Sequence, residues 1–258
     1  PRADSPEEPV PVYGPPADII TGSLQSIYPE LQGKRLRGRL EGNRLVPYDN
    51  AEQIRELGVN AKAIAWLNNP MDLQFLQIQG SGRIQLPNGE QLRVGYADQN
   101  GHHYRPIGRW LIEQGELDAS AVNMNSIRSW AEANPARLNE LLASNPSYVF
   151  FSTRPANNEG PRGSLNVPLT AGYSVAIDRK VIPLGSLLWL STTRTATQEA
   201  VIRPVAAQDT GGAIVGEVRV DLFWGTGPEA GDLAGHMRQD GEVWLLWPNG
   251  INLPDAEK

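Results

Sequence analysis

Ala207-Gln-Asp-Thr-Gly-Gly-Ala-Ile214, followed after four residues by Arg219-Val-Asp-Leu-Phe-Trp-Gly-Thr-Gly-Pro-Glu-Ala-Gly231, sets two aspartates around the densest glycine region of the chain. If residues 218–224 form a strand, alternation puts Val218, Val220, Leu222 and Trp224 on one face and Arg219, Asp221 and Phe223 on the other. Further strands are expected at 148–151, 173–177, 187–190 and 201–205, separated by turns such as Pro183-Leu184-Gly185. The last hundred residues therefore read as mostly β, a barrel-like rear part.

In front of it the texture is mixed. Asp49 or Asn50 can cap a helical turn through Ile54 and Leu57 that Gly58 ends, and a second helix is expected over about 61–67. Residues 72–84 are apolar and β-rich, and Pro87-Asn88-Gly89 is a turn signal before Leu92, Val94 and Tyr96, so a β-hairpin is expected there. Pro106 opens a helix that Gly115 closes. Two more are expected at 126–134 and 135–143, with Ile127, Trp130, Leu138, Leu141 and Leu142 as their buried face. The first sixteen residues hold six prolines and read as an extended arm, with packed structure starting near Ile19. No internal repeat appears.

Bulk properties exclude several classes of function. A chain of 258 residues that is 40% hydrophobic buries a real core. A net charge of −6, with arginines scattered among acids, offers no basic field for a nucleic-acid backbone. The absence of cysteine removes disulfides, thiolate catalysis and thiolate metal sites. No apolar run reaches the ~20 residues that span a bilayer. The chain opens Pro1-Arg-Ala-Asp-Ser-Pro-Glu-Glu-Pro9, with neither an initiating Met nor an apolar signal core, which reads as a processed start.

Chemistry concentrates on Asp209 and Asp221, twelve positions apart. An apolar wall beside Asp221 would disfavour its charged form and suit it to general-acid work near neutral pH. The alternative is two turn carboxylates bonding local backbone N–H groups, and spacing alone does not decide between them. Asp209-Thr-Gly matches the aspartic-protease tripeptide, but no second copy exists to share its proton. Gly80-Ser81-Gly82 lacks nucleophile-elbow spacing, and only three histidines are present to act as base. His102 and His103 are adjacent and would face opposite ways on a strand, so no metal site and no cofactor are expected. Trp224 and the loop tyrosines are the candidates to stack on sugar rings, while Trp66, Trp110 and Trp130 suit core packing.

Five segments together resemble the membrane-bound lytic murein transglycosylase A family. They are Gln77-Ile-Gln-Gly-Ser-Gly-Arg83, Gly95-Tyr-Ala-Asp-Gln-Asn-Gly-His-His-Tyr-Arg-Pro-Ile-Gly-Arg109, Asn145-Pro-Ser-Tyr-Val-Phe-Phe151, and the two stretches around Asp209 and Asp221. The resemblance implies an α+β protein, mainly β. A double-psi β-barrel domain would occupy 156–258, and a second, β-rich domain with short helices 1–155, the glycan lying in the groove between them. It implies cleavage of the β-1,4 bond between N-acetylmuramic acid and N-acetylglucosamine in peptidoglycan, with 1,6-anhydromuramic acid ends as product. Asp221 falls on the family's single catalytic aspartate, and Asp209 on a neighbouring one. Gln79, Gly80, Ser81 and Gly82 match the groove-facing segment, as do Tyr96, Asn100 and Tyr104, and Gly80 and Gly82 would let backbone amides approach a bulky sugar.

The implied partner is the peptidoglycan glycan strand, and the implied location the periplasmic side of the cell envelope. Outer-membrane attachment rests on the resemblance alone, since no anchor cysteine is present. Family members carry an N-terminal segment with a Thr-Gly-Tyr-Tyr-like motif that supplies part of the barrel, and this chain starts after it. The barrel is therefore expected to be incomplete or completed by another piece. The rival from another class is a glycan-binding module of the same barrel type that loosens cell wall without cutting it.

Overall fold

In a computed structural model of the chain, residues 9–31, 35–155, 160–195, 197–212, 214–217, 219–237 and 239–252 are described. They divide into two units, Pro1–Ala156 and Asn157–Lys258. Strands hold more residues than helices, in keeping with the α+β class. Residues 1–8 of the proline-rich arm, and Val218 at the start of the expected 218–224 strand, lie outside the described residues.

In the first unit, β1 (Val10–Tyr13), β2 (Ile20–Gly22), β3 (Leu36–Glu41) and β4 (Arg44–Pro47) precede the helix α1 (Ala51–Leu57). Then come β5 (Ala63–Leu67), α2 (Pro70–Gln79), β6 (Ser81–Gln85) and β7 (Gln91–Gln99), then α3 (Ile107–Glu113), α4 (Met124–Ala133), α5 (Leu138–Ala143) and β8 (Val149–Arg154). Three sheets result, β1-β5, β2-β3-β4 and β6-β7-β8. The helix signals at α1 hold: Asn50 and Gln53 form a reciprocal capping box, each side chain reaching the other's backbone N–H at 2.9 Å.

Three expectations are corrected. Packed structure begins before Ile19, because Val10-Pro-Val-Tyr13 pairs antiparallel with β5 and Val12 is fully buried. The helix expected at 61–67 is that partner strand; cross-strand pairing overrides the helical leaning of its alanines. The hairpin is real, but it joins β6 to β7, and residues 70–79 before it are helical. Helix α2 lies between two cores. Leu73 and Leu76 pack with Val12, Ile84, Val94 and Phe150, whereas Met71 and Phe75 pack with Leu111, Ile127, Trp130 and Leu141. A helix buried on two sides has no polar stripe, so its periodicity carries no helical signal.

The second unit holds β9 (Ser174–Ala176), β10 (Leu187–Thr193), β11 (Ala200–Asp209), β12 (Asp221–Leu222), α6 (Pro228–His236) and β13 (Glu242–Leu246). They form one sheet in the order β12-β9-β11-β10-β13, with β9 and β11 parallel and the other pairs antiparallel. Val175, Ile177, Leu188, Leu190, Val201, Val205 and Ala207 make its core. The edges β12 and β13 do not pair, so among the described residues this is an open sheet and not a closed double-psi barrel. The strand expected over 218–224 is short, confined to Asp221–Leu222. Among the described residues no helix is long and apolar enough to cross a membrane.

Candidate functional site

Strand β9 brings the two aspartates together. Asp209 of β11 and Asp221 of β12 are both registered against Ala176, one from each side. With strands about 4.8 Å apart, their Cα atoms stand about 10 Å from one another. Registered residues share a sheet face, so both carboxylates rise from the same one. For Asp221 this follows from alternation: Val220, Leu222 and Trp224 pack against the core, leaving Asp221 on the other side. Asp209 needs more. Two residues before it, Ala207 is buried in the core, and an unbroken strand would point Asp209 the same way. The register slips between Ala207 and Asp209, and that single extra residue, Gln208, turns Asp209 to the face of Asp221.

The two carboxylates are held differently. One oxygen of Asp209, Oδ1, accepts from the Ser164 N–H at 2.9 Å and from its hydroxyl at 3.1 Å, and the same hydroxyl lies 2.7 Å from Thr210 Oγ1. Asp221 is gripped at both oxygens by the Arg219 guanidinium, at 2.9 and 3.1 Å, in a pair whose side chains are 44% and 50% exposed. Donating to the Asp221 carboxylate raises Arg219 above its ordinary arginine value. Asp221 thus faces a cation, where an apolar wall was expected.

Gly163 fixes this arrangement. A Cβ at that position would lie 2.4 Å from the Gln208 carbonyl oxygen and 3.0 Å from Asp209 Cβ, so only glycine lets the Ser164 loop reach β11. Gly163→Ala is expected to cost roughly 2 kcal/mol through forced displacement of backbone. Thermal unfolding measures it, and an unchanged midpoint would mean the loop has room to spare.

Trp224 is less available than expected. It packs against the core with the Arg194 guanidinium 5.4 Å from its ring centroid, and lines a hollow with Arg194, Glu229, Asp232 and Leu233.

In the first unit, Gln79, Gly80, Ser81, Gly82 and Tyr96 form one neighbourhood. Gly80 ends α2 in the left-handed region (φ 71°), donating to Leu76 O at 2.9 Å while its carbonyl accepts the Tyr96 N–H at 2.6 Å. A Cβ on Gly82 would sit 2.5 Å from Leu76 Cδ1. Helix termination at Gly80 and contact with Leu76 at Gly82 are each reason enough for glycine without a ligand. Gln79 is exposed and Ser81 half-buried. Tyr96 is 41% exposed with its hydroxyl 3.4 Å from Arg37, and burial pushes its phenol upward, as it does for Tyr104 on the loop before α3.

Asn100 is a structural residue, contrary to the expectation that it faces ligand. It is 1% exposed; its amide donates to Asp49 O and Pro146 O, each at 2.9 Å, and its oxygen accepts from the N–H groups of Tyr148 (2.9 Å) and His102 (3.4 Å). Nothing remains for a ligand. Arg219, Gly163 and Ser164 are the residues that sequence reasoning missed. Only Arg219 carried a signal, sitting two positions before Asp221 on the same face. Among the described residues no group of three or more His, Asp and Glu is placed to hold a metal ion.

Comparison with known proteins places these features in context. The family model described as the MltA specific insert domain matches residues 2–152, and the 3D domain model residues 173–247. Membrane-bound lytic murein transglycosylase A of Escherichia coli strain K12 is 40% identical over 190 residues, 71% of this chain and 51% of that protein. The chain thus spans about half the length of the curated relatives it matches. The crystal structure of MltA from Neisseria gonorrhoeae in its monoclinic form superposes with a TM-score of 0.85 at 38% identity, covering 99% of this chain and 71% of that one. That of Escherichia coli MltA with bound chitohexaose gives 0.73 at 30% identity, covering 94% and 66%.

Proposed function

The chain belongs to the MltA family of membrane-bound lytic murein transglycosylases, and on that premise we propose that it cuts peptidoglycan glycan strands at the β-1,4 bond between N-acetylmuramic acid and N-acetylglucosamine. The observation that carries the reading is the shared register of Asp209 and Asp221 on one sheet face, with Asp221 untied to backbone. The relative solved with bound chitohexaose supports a glycan as ligand.

A retaining glycosidase needs a second carboxylate as nucleophile, and an inverting one a base for water. Intramolecular attack needs neither. Asp221 protonates the leaving glycosidic oxygen while the muramic acid C6 hydroxyl attacks C1, and the carboxylate of Asp221 then takes the hydroxyl proton. Arg219 meets both oxygens of the carboxylate left by proton donation. Because the nucleophile is tethered, its effective molarity is high. Asp209, fixed by Ser164, polarises Asp221 from the same face. Gln79, Ser81, Tyr96 and Tyr104 contact sugar. This activity places the protein in the cell envelope.

The product tests the reading. Digests of purified peptidoglycan are expected to contain anhydromuropeptides that resist borohydride, one water lighter than hydrolysis products, with no label at C1 in heavy-oxygen water. Reducible ends carrying heavy oxygen would mean hydrolysis, with Asp209 the first base to examine. Binding without any cleavage would leave a glycan-binding module.

A further inference from the structure

Three arginines stand in one cross-strand row on the β6-β7-β8 sheet. Arg83 is registered on Arg93, and Arg93 on Arg154. Ile84 and Val94, on the opposite face, are buried in the core, so the row lies on the outward face, where Arg83 and Arg154 are exposed. Like charges set directly opposite one another destabilise a sheet. The chain has 29 acidic residues to offset them. Yet among the described residues neither Arg83 nor Arg154 has a carboxylate within ion-pair distance.

Their hydrogen bonds go to neutral groups: Arg83 Nη1 to Gln91 Oε1 at 3.5 Å, and Arg154 Nη2 to Tyr96 O at 2.9 Å. Arg93 Nη1 donates to Pro155 O at 3.4 Å. Gly95 makes room for this, because a Cβ there would lie 2.7 Å from Arg154 Nε. Along the same face the row is flanked by Ser81, Gly95 and Ser152 on one side and by Gln85 and Gln91 on the other. The face presents hydroxyls, guanidinium groups and amides; the nearest acidic residue along the ladder, Asp98 registered on Phe150, is held by Arg37 at 2.6 Å and not by the row.

We propose that this face binds the carboxylates of the peptide substituents carried by muramic acid, so that the protein favours peptide-bearing over bare glycan. The inference rests on the peptidoglycan reading above. Guanidinium forks match carboxylates in a bidentate geometry, and Arg83 and Arg154, two strand spacings or about 10 Å apart, can engage two carboxylates of one peptide. Ser81 links the row to the segment proposed to contact sugar, which sets the peptide beside the glycan that bears it.

Binding of soluble glycan strands, peptide-bearing or stripped of peptide by an amidase, tests this in the Asp221→Asn protein, whose expected loss of turnover keeps strands largely intact during the measurement. Peptide-bearing strands are expected to bind more tightly, by a margin that shrinks with salt. Combining Arg83→Gln and Arg154→Gln should weaken them about tenfold and leave stripped strands unchanged, while Arg83→Lys with Arg154→Lys keeps part of the preference. The melting temperature of the glutamine variant should hold or rise, since repulsion is relieved. A protein that binds stripped strands but gains nothing from peptides overturns this inference alone, as does equal loss for both ligands or a sharp fall in melting temperature. A protein that binds neither ligand overturns the glycan reading itself, and this inference with it.

Discussion

Asp221→Asn is expected to lower turnover on peptidoglycan by about 10²–10⁴-fold while leaving chitohexaose binding in place. Asparagine has nearly the shape of aspartate, but it cannot give a proton to the leaving oxygen and recover one from the C6 hydroxyl. The ion pair that it removes is about half exposed, and such pairs contribute roughly 0–1 kcal/mol, so the fold should survive. Asp209→Asn is the matched control. Its Oδ1 alone receives both hydrogen bonds from Ser164, and an asparagine oxygen can keep both. That substitution removes charge and little else, and its effect should be nearer tenfold. Steady-state rates on purified peptidoglycan decide: near-normal turnover in Asp221→Asn beside a collapse in Asp209→Asn would exchange the two roles.

That control rests on a geometry only partly legible in the sequence. The face of Asp221 followed from alternation through Val220, Leu222 and Trp224, because a strand edge over a core keeps its period of two. The face of Asp209 did not, since the slip at Gln208 has no glycine or proline to mark it. Ser164 stands 45 residues from Asp209, a contact that only the tertiary fold creates. In the first unit the start and stop signals of α2 were present, with Asn69 as its cap, Pro70 in its first turn and Gly80 after its end. They were outweighed by apolar residues on more than one face, Met71, Leu73, Phe75 and Leu76, which reflect burial against two cores. The glycines of the Gln79–Gly82 segment illustrate the opposite error, in which a motif suggests ligand contact and packing supplies the cause.

Asn100 is the sharpest instance of that error, and it carries the second large expectation. Its side chain joins the ends of three segments: Asp49 before α1, Pro146 and Tyr148 before β8, and its own position after β7. Asn100→Ala would leave the Asp49 carbonyl and the Tyr148 N–H without partners, while the Pro146 carbonyl keeps the Ala51 N–H at 3.0 Å; at about 1–3 kcal/mol for each orphaned group, a loss of roughly 2–4 kcal/mol is expected after partial relaxation. Asn100→Asp separates this hydrogen bonding from mere volume. The new carboxylate still accepts from Tyr148 N–H but turns an acceptor toward the carbonyls of Asp49 and Pro146, so burial and repulsion raise its folded-state pKa above the unfolded value of about 3.9. Over the window between those two values the folded state binds more protons than the unfolded one, and stability falls as pH rises. Below about pH 4 the carboxyl is protonated in both states, regains one donor, and recovers part of the loss. Denaturant unfolding at pH 4 and pH 7 should therefore show a larger deficit relative to wild type at pH 7. Equal deficits at both pH values, or wild-type stability of Asn100→Ala, would mean that water replaces the amide and that Asn100 is free to serve a ligand after all.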